Sequence, residues 1–401
     1  MIRTWARGGA RAGTARARRA LVFVLPGLWV LGVVTWELYH PAGGQPLQLL
    51  AAAPAIACAG TGRRQCVLLG GVCALLALVP VGPAGPGADP GARVMTCGAI
   101  LVVIAASYLT AGRRLRLVRE LERTREVAAA AQRVLLRPLP PRIDGVVPAA
   151  DHLSASEGAV VGGDLYEVVG TRYGVRAVIG DVRGHGLAAL GTVAAMLGSF
   201  REAVHDEPEL AAVLRRLERA HQRHLRERGA GEQPAGGAVG PLAEEFVTLL
   251  LVQIAPDGAV TALNCGHPWP YRIDCGAVAE VAPAEPMPPL GLFPLPERLS
   301  AVRCGRLEPG AGLFLHTDGA FDARDAAGEF FPLAQQLRSS VAAAATPGGP
   351  APSAVVGGVR EALLRHAGGR LPDDVALVML RHDGVRLPEP VAGSAIARLP
   401  R

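Results

Sequence analysis

The chain has 401 residues, half of them hydrophobic and only 4% aromatic, with a net charge of +6 and a pI near 9.2. All 41 basic residues are arginine, and the absence of lysine excludes a P-loop nucleotide site, a protein kinase and any Schiff-base mechanism. The Arg, Ala, Gly and Pro bias fits codon pressure in a GC-rich genome. No nucleic-acid partner is expected, because much of the positive charge lies beside apolar segments, where membrane topology accounts for it.

Residues 1–20 form a basic N-terminus, followed by four apolar segments at 21–39, 41–62, 65–81 and 94–112 that are long enough to consider as membrane spans. The second has the shortest apolar heart, residues 47–60, rich in alanine. Arginines cluster before the first segment, at Arg63 and Arg64, and again at Arg113, Arg114, Arg116 and Arg119, while the other two connections carry only Arg93. The positive-inside rule then predicts a multi-pass region over 21–112 in the inner (plasma) membrane, with both ends cytoplasmic. No small-residue cleavage site follows the first segment, so a cleaved signal peptide is not expected. The cysteines form no Cys-x-x-Cys pair. Cys58 and Arg64 have the spacing of a cysteine-phosphatase loop, but no histidine precedes them and the arginines serve as topology signals.

Residues 113–141 read as a helical linker, with a helix over 113–137 free of Gly and Pro. Leu117, Leu121, Ala128, Ala131 and Leu135 recur at helical spacing, and Glu120/Arg123 and Glu122/Arg125 fall at i,i+3. The stripe suits either a spacer or a signalling helix that forms a homodimer; with about three heptads, it does not choose between them.

The region 142–383 reads as one α+β domain. A hairpin is expected from strands at 165–169 and 175–182, then helices at 187–204 and 208–228 and a Gly/Ala/Pro-rich mobile loop at 230–240. Strands follow at 246–254, 259–264 and 312–317, with a turn at 256–258, then helices at 332–345 and 352–367 and a last strand at 375–381. Two stacked antiparallel sheets with helices outside, an αββα sandwich, fit this order. Residues 384–401 read as a disordered tail.

Four aspartate motifs punctuate that domain: Gly162-Gly163-Asp164, Gly180-Asp181-Val182-Arg183-Gly184-His185-Gly186, Thr317-Asp318-Gly319 and Asp373-Asp374-Val375. Each sits at the end of an apolar, β-type run, where side chains can meet at one sheet edge. Hard divalent cations take oxygen ligands and keep several waters, so a few carboxylates suffice. Adjacent glycines let the backbone approach such an ion. Two ions sharing a water suit phosphate-ester hydrolysis. One Asp-Gly pair alone is only a turn signal.

The series resembles the metal-dependent protein serine/threonine phosphatases (protein phosphatase 2C-like), in their bacterial sporulation-type branch (SpoIIE/RsbU-like), from about residue 131 to 381. It begins at Gln132 with a lead-in helix and a proline exit, and includes Val161 to Glu167, the Gly-Asp-x-x-Gly-His-Gly turn, Phe246 to Leu250, Asn264-Cys265-Gly266-His267-Pro268, and Leu313 to Arg324. The resemblance implies two Mn²⁺ or Mg²⁺ ions held by Asp164, Asp181, the Val182 carbonyl, Asp318 and Asp373. It also implies a metal-bridging hydroxide as nucleophile, with Asp181 and Asp164 catalytic, and a phosphorylated protein substrate such as an anti-sigma-factor antagonist. Glu167 stands where the family has Asp, and Arg183 where it has a small or uncharged residue. Arg183, His185 and Asp374 are candidates for substrate or supporting contacts. His267 reads as a loop former, Asp322 as a helix start and Asp257 as a hairpin turn. The alternatives are a catalytically silent membrane scaffold and a diguanylate-cyclase-like enzyme suggested by Gly162 to Glu167 alone. A transporter is disfavoured because the apolar segments hold almost no charge.

Overall fold

The computed structural model describes residues 90–155, 162–184, 186–231 and 245–384, with helical positions also at 28, 31, 32, 35 and 39. Contacts divide the chain into two compact units, Met1–Thr124 and Arg125–Arg401. The candidate spans at 41–62 and 65–81 lie outside the described residues, as do most of 21–39, position 185, residues 232–244 and the tail beyond 384. The fourth candidate span is part of a long helix, α1 (Pro90–Leu135). Among the described residues no helix is long and apolar enough to cross a membrane. The helix continues through the expected linker without a break, because residues 113–135 contain neither Gly nor Pro and are dominated by strong helix formers. It stops just ahead of Pro138, Pro140 and Pro141, which cannot extend it. Of the predicted stripe, Ala131 and Leu135 pack against Leu190, whereas Leu117 is 60% exposed.

The second unit is an α+β sandwich of two five-stranded antiparallel sheets. One sheet has the order β1 (Val146–Leu153), β10 (Val375–His382), β9 (Gly312–His316), β6 (Tyr271–Asp274), β7 (Ala277–Glu280). The other runs β2 (Asp164–Thr171), β3 (Gly174–Val182), β4 (Val247–Ile254), β5 (Ala259–Cys265), β8 (Val302–Arg306). Period-2 alternation explains the layering. Leu313, Leu315, Ala376, Val378 and Leu380 face the core shared with the second sheet, while Phe314, Val375, Leu377 and Met379 pack beneath α5 (Leu333–Ala343) and α6 (Pro352–His366). On the far side, α2 (Leu187–Asp206) and α3 (Leu210–Gly231) cover the second sheet through Val193, Leu197, Phe200, Leu214 and Leu217.

Every strand and long helix expected after residue 160 is present, with ends moved by a few residues; α3 runs on to Gly231, shortening the expected loop. Four strands were not expected. β1 carries Pro148 but lies at a sheet edge, where a missing N–H costs no ladder bond. β8 is the opposite sheet's edge, and β6 and β7 are four residues each, joined by Cys275 and Gly276 at φ 46° and 84°, the positive-φ pair of a tight hairpin. One buried cation ties the layers: Arg176 donates to the Val204 carbonyl in the last turn of α2, to the Glu207 and Pro208 carbonyls just beyond it, and to Gln253 on β4. Glu167 on β2 pairs with Arg201 on α2, whose guanidinium also bonds the Leu135 carbonyl at the end of α1.

Candidate metal centre

Antiparallel pairing sets Asp164 and Asp181 directly opposite each other, at the open end of the β2–β3 hairpin. In the facing sheet β9 ends at His316, and Asp318 caps the short α4 (Gly319–Asp322), its carboxylate accepting the Gly319 N–H at 2.9 Å. Neighbouring β10 starts just after Asp373 and Asp374, and Thr317 N–H donates to the Ala376 carbonyl at 3.1 Å. Stacking the sheets therefore brings all four motifs to one edge. A single buried hydroxyl pins the junction: Thr317 Oγ1 donates to Asp164 Oδ2 at 3.0 Å and accepts the Ala376 N–H at 2.9 Å.

Asp374 is 3% exposed and does more than cap a strand. Its Oδ1 accepts the Ala155 N–H at 2.7 Å; its Oδ2 lies 3.5 Å from His152 Nε2 and is buried without a hydrogen-bond partner. His152 is also 4.0 Å from Asp164 Oδ2 and 3.3 Å from Gln132 Nε2 on α1.

The electrostatics follow from crowding like charges in a dry place. Burial, then the charges of Asp181 and Asp374, hold the Asp164 carboxyl well above the usual carboxylate range, only partly offset by Thr317. Burial, then Asp318, Asp373 and Asp374, push Asp181 up to about 7. Asp318 is raised by burial and by Asp373, and Asp373 chiefly by burial. For Asp374 burial pulls upward, but His152 and the Ala155 N–H outweigh it and leave the carboxyl below its ordinary value.

Among the described residues no group of three or more His, Cys, Asp or Glu side chains closes into a ready cage for an ion. The residues nevertheless fit divalent cations. The donors are all hard oxygens, which Mg²⁺ and Mn²⁺ prefer with waters completing the shell. One buried carboxylate oxygen, Asp374 Oδ2, has no hydrogen-bond partner. The backbone also leaves room that a side chain would fill: a Cβ at Gly163 would overlap the Val182 carbonyl and lie 2.8 Å from Asp181 Oδ1, and one at Gly162 would overlap Asp374 Oδ2.

Other expected residues fall around this centre. Arg183 is exposed, its guanidinium 5.1 Å above the Phe246 ring and its N–H bonded to the Phe246 carbonyl. His185 lies outside the described residues. Asp322 ends α4 and is exposed, and Asp257 forms the hairpin turn, accepting the Ala259 N–H at 3.0 Å. His267 is more than a loop former. Buried and held neutral, with its pKa lowered to about 3 by burial, it contacts Thr248 Oγ1 on β4 at 3.1 Å and the His316 carbonyl on β9 at 3.1 Å, bridging the sheets behind Asp318. His152 carried no local sequence signal, and Thr317, although part of the Thr317-Asp318-Gly319 motif, gave no sign of its bonds to Asp164 and Ala376, because these roles appear only once β1, β2 and β10 meet.

Residues 171–383, more than half of the chain, match the family model described as Stage II sporulation protein E (SpoIIE), and the protein belongs to that family. Residues 171–383 thus form a SpoIIE/PP2C-like phosphatase domain, part of the two-sheet sandwich described above. Among solved structures, it is similar to the RsbU and RsbW domains of a Mycobacterium tuberculosis protein, with 21% identity, a TM-score of 0.47, and coverage of 61% of this chain and 63% of that one. It is similar to the PP2C phosphatase domain and regulatory-domain fragment of SpoIIE from Bacillus subtilis at 17% identity and a TM-score of 0.44, covering 59% and 63% of the two chains. A third likeness, at 16% identity and a TM-score of 0.41, is to the catalytic domain of the serine/threonine phosphatase PstP in complex with 2 manganese ions, covering 59% of this chain and 97% of that one. The chain spans about 63% of the length of the first two.

Proposed function

We propose that this protein removes phosphate from phosphoserine or phosphothreonine in a regulatory protein. The observation that carries the reading is the convergence of Asp164, Asp181, Asp318 and Asp373 at one sheet edge with raised carboxyl pKa values. Two bound divalent ions would supply Lewis acidity and a water acidified enough to attack phosphorus near neutral pH. Asp181, whose charge is felt by Asp164 and itself feels Asp318, Asp373 and Asp374, is the residue suited to serve both ions. Asp164, fixed by Thr317, and Asp318 and Asp373 would supply the remaining carboxylate ligands. The Val182 carbonyl, kept open by Gly163, adds a neutral oxygen. His152 holds Asp374 in place at the inner wall.

The family supports a phosphorylated anti-sigma-factor antagonist as the substrate class. The apolar segments before residue 112 and their flanking arginines support a multi-pass anchor with the catalytic domain cytoplasmic. Exposed Val127 and Val134 on α1 are compatible with a homodimer through that helix. Turnover of a phosphoserine peptide by the full chain, with Mn²⁺ and with EDTA, tests the activity. Hydrolysis that needs the metal is expected; none from folded, metal-loaded protein would favour the silent scaffold.

A further inference from the structure

A groove of about 1020 Å³ opens at Asp373 and runs away from the metal centre between the segment after α4 and the C-terminal end of α6. Its walls carry Arg324 and Arg365, both exposed. The Arg324 guanidinium lies 3.9 Å above the ring of Phe330, which is itself 53% exposed, and spends one donor on the Gly328 carbonyl. The rest of the fork stays available, and the stacking holds it in place. The floor is firm, because His366 Nε2 meets the Glu329 carbonyl at 3.0 Å and packs edge-on against Phe331.

The acids in the groove do not cancel these arginines one for one. Asp373 belongs to the metal centre, and Asp325 commits one carboxylate oxygen to the Ala327 and Glu329 N–H groups at 2.8 and 3.0 Å. Asp322 alone remains, at the inner end beside Asp373. The charge thus grades from acidic at the centre to basic outward, with an aromatic face on the way.

We infer that this groove binds the acidic residues flanking the phosphorylated serine or threonine of a protein substrate. This rests on the phosphatase reading above, since the groove is continuous with the metal centre only through Asp373. A phosphate at the centre would set the adjoining peptide beside this groove, whose walls carry Arg324 and Phe330 next to Asp373. Arginine forks take carboxylates in pairs of hydrogen bonds, so acidic side chains are the matching chemistry.

The test uses the full chain and two phosphoserine peptides that differ only in flanking Glu against flanking Ala. The native protein should prefer the acidic peptide in kcat/KM by about tenfold, through KM, and the preference should shrink with salt. In Arg324→Glu with Arg365→Glu the preference should vanish or invert, and Arg324→Lys with Arg365→Lys should restore most of it; melting curves check the fold of each variant. Equal turnover of both peptides by the native chain, or a preference untouched by charge reversal, overturns the inference. Should the native chain hydrolyse neither peptide, the phosphatase reading fails first. Fluorescence anisotropy of the labelled acidic phosphopeptide then decides the groove: binding weakened by reversal supports it, and absent or unchanged binding overturns it.

Discussion

Thr317 is the smallest part of the centre and one of the most exposed to loss of function. Its hydroxyl serves Asp164 and the Ala376 N–H at once in a fully buried position. Thr317→Val keeps the shape and strips both bonds, so it should cost about 1–3 kcal/mol, read as a lower urea midpoint at unchanged slope. An unchanged midpoint would mean that the sheets are not tied there. Gly163→Ala makes a second residue-scale prediction: its methyl would collide with the Val182 carbonyl, so Mn²⁺ binding should weaken by about tenfold or more in calorimetry. That the four acids meet at one sheet edge was legible in the sequence because strand ends marked by Asp and Gly repeat along it. The role of the Thr317 hydroxyl and the place of His152 were not, since a hydroxyl or an imidazole beside an apolar run acquires meaning only from partners 153 residues away, or across β10.

At the scale of elements, Arg176 is the joint most open to test. It is fully buried, bonded to one carbonyl in the last turn of α2, to two just past its end and to Gln253, and stacked 4.5 Å from the Tyr173 ring. A cation at a helix C-terminus is favoured by the helix dipole, and its removal leaves those carbonyls without donors. Arg176→Met should therefore destabilise the domain by about 3 kcal/mol in denaturant melts while leaving α1 helical by circular dichroism. A loss below about 0.5 kcal/mol would contradict the role. Central strands and the helices that cover them were readable because apolar runs such as Val247–Ile254 are long and rich in β-branched residues. The edges were not, because β1 contains proline, β8 mixes Cys, Gly and Arg, and β6 and β7 are too short to show a period. Charge begins at residue 113, where the last apolar segment was expected to end, and the helix runs on through it, since backbone propensity, not polarity, decides where a helix stops.

For the whole molecule, the acidic cluster couples protons to stability and, on the proposed function, cations as well. A carboxyl whose pKa is raised in the folded state contributes stability that is complete below its unfolded value and lost as pH rises through the folded value. Asp181, pushed from 3.8 up to about 7, and Asp164, Asp318 and Asp373, raised with it, all act in this sense. Metal-free protein should thus melt at lower temperature at about pH 8 than at about pH 6, and Mn²⁺ should reverse the order, because cations compete with the same protons. Scanning calorimetry in EDTA and in Mn²⁺ at both values checks this. A metal-free melting point that climbs from pH 6 to 8 would contradict the burial of uncompensated acids at the sheet edge.

The most direct test of the central claim, that the Asp164, Asp181, Asp318 and Asp373 edge holds divalent cations, is calorimetric titration of the full chain with Mn²⁺ beside Asp181→Asn. Two binding events are expected in the native protein, and loss of at least one, with the other weakened, in the variant. Identical isotherms from the two folded proteins would show that Asp181 is no ligand and that the metal-dependent reading of this edge is wrong.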